Sequence, residues 1–158
     1  MNKFDFLARN DVTPQNLLET LRCAYIDAEL DDDGDVVIKD HLFVYVLVDK
    51  EEHLVKLITA FPVGVIPDDV KFDFLNELGK YRCATFAMKQ LHDEYLVHAH
   101  YEILYKGGLL KTQFVHACKD FMDITRLALY QERLTFAPQG LPDRELHMRR
   151  RGRKESDA

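Results

Sequence analysis

Two stretches of this chain set metal-binding residue types at usable spacings. In "AELDDDGDVVI", Ala28 to Ile38, Glu29, Asp31 and Asp33 alternate, Gly34 follows, and Asp40 closes a span of twelve. An EF-hand calcium loop uses carboxylates at such positions, a glycine for its sharp turn, a bidentate Glu at the twelfth place, and a helix beyond. Here the twelfth residue is the shorter Asp40, and Val36-Val37-Ile38 reads as a strand. Asp-Gly between extended segments is a hairpin signal. The stretch is expected to be an acidic turn joining the first helix to the first strand, with Gly34 at positive φ, and not a calcium site.

The second stretch is "HAHYE". On a strand, His98, His100 and Glu102 project from one face, and two histidines so spaced can ligate zinc. The opposite face, Tyr95, Val97, Ala99, Tyr101 and Ile103, is apolar and makes the core side. No third His or Cys stands at a recognisable spacing, so the imidazoles are expected on a solvated or partner-facing surface. A metal- or small-ligand-responsive regulator using the His98/His100/Glu102 face is the alternative function. Cys23, Cys83 and Cys118 are widely spaced without CxxC, neither a disulfide framework nor a zinc site. Cys118 falls with Phe114, Phe121 and Met122 and reads as a core thiol, whereas Cys23 falls on a polar helix side.

Catalytic constellations are missing. The chain has no GxSxG, no glycine-rich phosphate loop and no HExxH, and its single serine is Ser156. A non-enzymatic protein without a cofactor is expected. The net charge of −6 conceals an asymmetry: residues 144–158 carry six basic side chains and three acids, a net of +3, against −9 elsewhere. An acidic body repels nucleic acid, so tethering to RNA or DNA would rest on the basic tail alone. The longest apolar runs are too short to span a bilayer, and the first residues show no secretory h-region. A cytoplasmic protein without membrane association is the expectation.

The elements that must position these residues follow from periodicity. Thr13 as N-cap and Pro14 in the first turn open a helix whose Leu17, Leu18, Leu21, Ala24, Tyr25 and Ala28 share a face. It is expected to end near Ala28. The period then changes to two: Val36–Ile38, His41–Asp49 and His53–Phe61 read as an antiparallel meander. "PVGVIPDD" reads as a loop, 70–80 as a second helix, "YRCATFAMKQL" and "YLVHAHYEILY" as a second hairpin, and 112–133 as the last helix. The order α-β-β-β-α-β-β-α is that of an α+β domain, an antiparallel sheet with helices mainly on one face. The expected boundaries are an N-terminal segment over 1–12, the domain over 13–136, and a basic, disordered tail over 137–158.

The second strand carries the most functional information. Leu42, Val44, Val46 and Val48 line one face, and Phe43, Tyr45 and Leu47 the other. A sheet with one face in water alternates apolar with polar residues, so this strand has apolar surface to spare. The second helix likewise sets Phe72 and Leu75 away from its Val70–Phe74–Leu78 stripe. Either a terminal segment covers these residues, or Phe43, Tyr45, Leu47, Phe72 and Leu75 form a dimer or peptide-binding surface.

From Thr13 to Tyr130 the pattern resembles the YbjN family, proposed bacterial sensory transduction regulators similar in fold to type III secretion chaperones. The resemblance rests on "LLETL", on "DDDGDVVI" before the strand "LFVYVLVD", on "FLNELGKYRCATFAM", and on "EILYKGGLLKTQFVHAC" entering the last helix. The acidic loop and basic tail depart from the family pattern. The family has no established catalytic set, so no active residue is carried over. The resemblance implies a type III secretion chaperone-like fold, a homodimer, and a chaperone-like or regulatory role in binding a partner protein segment.

Overall fold

A computed structural model describes residues 5–64, 68–81, 84–91 and 94–136. The first helix, α1 (Pro14–Cys23), begins as expected: Thr13 is extended and its Oγ1 accepts the Asn16 amide at 3.3 Å. Leu17 and Leu21 are fully buried. The helix stops short of Ala28. Tyr25 takes φ +59°, and the Ile26 amide turns back to the Leu21 carbonyl at 3.0 Å, a left-handed helix end. Tyr25 is consequently 99% exposed rather than on the helix's buried face. Ala28 opens a strand, β2 (Ala28–Leu30). The apolar spacing of Ala24, Tyr25 and Ala28 is equally compatible with a helix that ends and a strand that begins.

The acidic stretch therefore joins two strands, not a helix to a strand. Between β2 and β3 (Val36–Lys39), one carboxylate oxygen of Asp31 accepts the amides of Asp33 at 3.0 Å and Asp35 at 2.9 Å. The Asp31 amide donates to the Asp35 carbonyl at 2.9 Å, and Gly34 takes φ +86°. This is a side-chain-locked hairpin loop. Burial and repulsion from Asp31 and Asp33 raise the Asp35 carboxyl above its ordinary range. Asp35→Asn removes the repelled charge and should stabilise the fold at pH 7 by roughly 0.5 kcal/mol in urea unfolding, the scale of exposed charge pairs. A raised folded-state pKa means the penalty is full above that value and vanishes below the unfolded one. The gain should therefore disappear below about pH 4.

Next come β4 (Phe43–Asp49), β5 (Leu54–Gly64), α2 (Asp68–Leu78), β6 (Thr85–Leu91), β7 (Glu94–Leu104), β8 (Leu109–Leu110) and α3 (Lys111–Phe136). Among the described residues, six strands form one antiparallel sheet in the order β2-β3-β4-β5-β7-β6. The meander and the second hairpin are as expected, and the α+β class holds. Of the segment read as a loop, Pro62 to Asp69, the first three residues are instead the end of β5, with a register shift between Pro62 and Gly64. Asp68 and Asp69 open α2, and residues 65–67 lie outside the described residues. Among the described residues β4 pairs with β5 only as far as Ile58, so Pro62 sits where only β7 accompanies the strand. A proline is tolerated at such an edge. The N-terminal β1 (Phe6–Leu7) pairs with β8, which places Leu7 in the core.

The helices pack on one sheet face. Val36, Ile38, Val44, Val46, Val55, Leu57 and Ala99 form one cluster with Leu17 and Leu21 of α1 and with Phe114, Cys118 and Phe121 of α3. A second cluster joins Phe61, Val63 and Val97 to Phe74 and Leu78 of α2 and Ala128 of α3. Cys118 is the expected core thiol, and burial pushes its pKa far up, which leaves it unreactive. Cys23 is exposed, as its place on the helix implies. Cys83 lies outside the described residues.

Candidate functional site

The register of the sheet decides which apolar side chains face away from the helices. Val37, Tyr45, Ile58, His100 and Thr85 stand in one line across β3, β4, β5, β7 and β6. Leu47, Lys56 and Glu102 form the next line, and Ala60, His98 and Ala87 the line on the other side. Their chain neighbours Val44, Val46, Val55, Leu57, Val97 and Ala99 are buried beneath helices. The open face is different: Phe43 is 53% exposed, Tyr45 43% and Leu104 60%. Leu47, Leu54, Ile58 and Leu96 are half-buried. Among the described residues the spare apolar surface of the second strand is thus only partly covered: Val37, in the line of Tyr45, is buried, whereas Phe43 and Tyr45 remain exposed.

Charge frames this face. Lys39 pairs with Glu29 at 2.6 Å, beside the Phe43 and Val37 positions, and Lys56 pairs with Asp49 at 2.9 Å beyond Leu47. Two backbone amides, chiefly that of Glu52, and the Lys56 ammonium hold the Asp49 carboxyl below its ordinary range. An apolar centre with a polar rim is the anatomy of a protein-binding patch.

His98, His100 and Glu102 do share one face of β7, and it is this open face, with His98 opposite Ala60 and His100 opposite Ile58. Both histidines are half-buried, and Glu102 is exposed. Among the described residues, no three His, Cys, Asp or Glu side chains converge to hold a metal ion. Phe43, Tyr45 and Leu47 are together. Leu75 is half-buried on α2, which packs against β6 and α3, and so lies apart from them. The side chain of Phe72 lies outside the described residues.

Sequence reading did not single out Leu54, Ile58, Leu96 and Leu104 on this face. The signal was present, since Leu96 and Leu104 continue the alternation of His98, His100 and Glu102. It also did not single out a polar relay beneath the β3–β4 turn. Nδ1 of His41 lies 2.8 Å from the Asp40 carboxylate, and its Nε2 lies 3.2 Å from Oγ1 of Thr125 on α3. Arg126 donates to the same Asp40 oxygen at 3.0 Å. Burial opposes ionisation of Asp40, but the hydrogen bonds from His41 and Arg126 outweigh it and lower its pKa. The sequence of carboxylate, imidazole and hydroxyl superficially matches a hydrolytic triad. Thr125, however, is fully buried and donates to the Met122 carbonyl at 3.0 Å, so no substrate reaches it. The relay pins the turn to α3.

Among the described residues, no helix is long and apolar enough to cross a membrane. No protein-family model matches the sequence, and no curated protein matches it. Solved structures do share the fold. YbjN from E. coli, a proposed transcription regulator, superposes with a TM-score of 0.62 at 7% identity, over 83% of this chain and 96% of its own. The HopA1–SchA chaperone–effector complex contains a chain that superposes at 0.50 with 15% identity, over 70% and 87%. A third, the Yersinia pestis type III secretion chaperone SycH with a fragment of YscM2, gives 0.44 at 12% identity, over 75% and 99%. The chain is therefore similar in fold to YbjN and to a chain of a chaperone–effector complex.

Proposed function

We propose that this chain is a non-enzymatic, chaperone-like or regulatory module that binds a segment of a partner protein as a homodimer. The open sheet face centred on Phe43, Tyr45 and Leu47 is its contact surface. One observation carries the reading: large apolar side chains stay exposed on a sheet whose other face already holds a complete core. The likeness to a chain of a chaperone–effector complex supports it at the level of the fold.

The test is site-specific photocrosslinking in the native host. A photoreactive phenylalanine at Tyr45 should yield a covalent adduct with a partner protein or a second copy of the chain. The control position is Tyr130, 60% exposed on α3 and away from the open face. Adducts at Tyr130 with none at Tyr45 would move the contact surface to the helical side and defeat the proposal.

A further inference from the structure

At the end of the sheet bearing the β4–β5 turn, a cavity of about 240 Å³ is lined by Arg9, Asn10, Val12, Lys50, His53 and Tyr105. Three sequence-distant segments meet there: the turn over Arg9–Asp11, the β4–β5 connection, and the residue after β7. No carboxylate lines the cavity, although the body of the chain is strongly acidic. Among the described residues, neither Arg9 nor Lys50 makes an ion pair or a side-chain hydrogen bond. Of the acids adjoining the lining residues in sequence, Asp49 is committed elsewhere, its two oxygens taken by the Glu52 amide at 3.0 Å and Lys56 at 2.9 Å. Asp11, Glu51 and Glu52 are exposed side chains outside the lining.

His53 is held at this cavity at a backbone cost. It takes φ +56°, a left-handed conformation that glycine or asparagine adopts more cheaply. Its carbonyl accepts the Tyr105 amide at 2.9 Å, and its ring packs edge-on against Tyr105 with centroids 5.8 Å apart. The Tyr105 hydroxyl donates to the Asp49 carbonyl at 3.3 Å, which fixes the floor. The imidazole is thus oriented by its neighbours in a turn that would form more easily without it.

We propose that this cavity binds a small oxyanion of the phosphate class. Arg9 supplies a planar fork of donors, Lys50 a point charge, Asn10 an amide, and His53 an imidazole N–H. Donors arriving from three segments suit a tetrahedral dianion better than a planar monoanionic carboxylate. The volume is below that of a drug-sized site and accommodates a phosphate group with little attached.

The test uses the full chain labelled with ¹⁵N and titrated with inorganic phosphate at constant ionic strength. Saturable shifts are expected at the amides of Arg9, Asn10, Lys50 and His53. An R9Q/K50Q double variant should keep its fold and weaken phosphate binding by roughly 30-fold or more. Wild-type melting should rise by roughly 3–5 °C at about ten times Kd, because only the native state has the cavity. Shifts that never saturate, that centre on residues 144–154, or that persist undiminished in the double variant would overturn the proposal. Acetate binding as tightly as phosphate at the same amides would overturn the assignment to the phosphate class.

Discussion

Gly108→Ala should destabilise the fold by about 2–4 kcal/mol in urea or thermal unfolding. Gly108 takes φ +103°, where a side chain is strained whatever the space around it. Space is lacking as well: a β-carbon there would fall on the ring of Phe6 and 2.7 Å from the Leu7 carbonyl oxygen. Both belong to β1, which is held against β8 through Phe6–Leu110 and Leu7–Leu109 pairs. Relief requires β1 to leave, and Leu7 leaves the main core with it. Gly107 provides the control, since a β-carbon there meets nothing within 4 Å. Gly107→Ala should stay within about 0.5 kcal/mol of wild type. Equal stability of the two variants would show that β1 is not docked as described.

The second large effect concerns the two faces of β5. Leu57→Ala should cost about 3 kcal/mol, because Leu57 is fully buried in the main cluster between Val46 of β4 and Tyr101 of β7. Ile58, the next residue, points to the open face and is half-buried. Ile58→Ala should cost roughly 1 kcal/mol or less in the isolated chain. Denaturant midpoints of the two variants measure the difference directly. Comparable losses would mean that something seals the open face.

Much of this arrangement was legible in local pattern. The alternation of "YLVHAHYEIL" separates Val97 and Ala99 from His98 and His100, and the structure puts them on opposite faces. The 3.6 period of Phe114, Cys118, Phe121, Met122 and Thr125 marks the buried side of α3. Local pattern failed where two readings fit equally. Ala24, Tyr25 and Ala28 satisfy a helical stripe, yet a left-handed Tyr25 and a three-residue strand satisfy the same residues. The two-residue pairing of β1 with β8 is too short to leave a periodic signal, and it joins segments about a hundred residues apart. The insertion of β7 between β5 and β6 is likewise non-local. For the open face, the sequence showed that the second strand is apolar on both sides. It could not show which side the helices take, because Val44 and Tyr45 are equally good strand residues.

Tyr45→Glu is the decisive variant for the open face, followed by sedimentation velocity and thermal melting of the same preparation, and by pull-down of the partner that photocrosslinking at Tyr45 identifies in the wild type. Tyr45 is 43% exposed at the centre of the open face. The charge should cost the isolated chain about 1 kcal/mol at most, while self-association or partner capture is lost. Largely unfolded protein would mean that the side chain is sealed beneath another segment, where a buried charge costs several kcal/mol. A well-folded variant with unchanged mass and unchanged partner recovery would contradict the proposed role of this face.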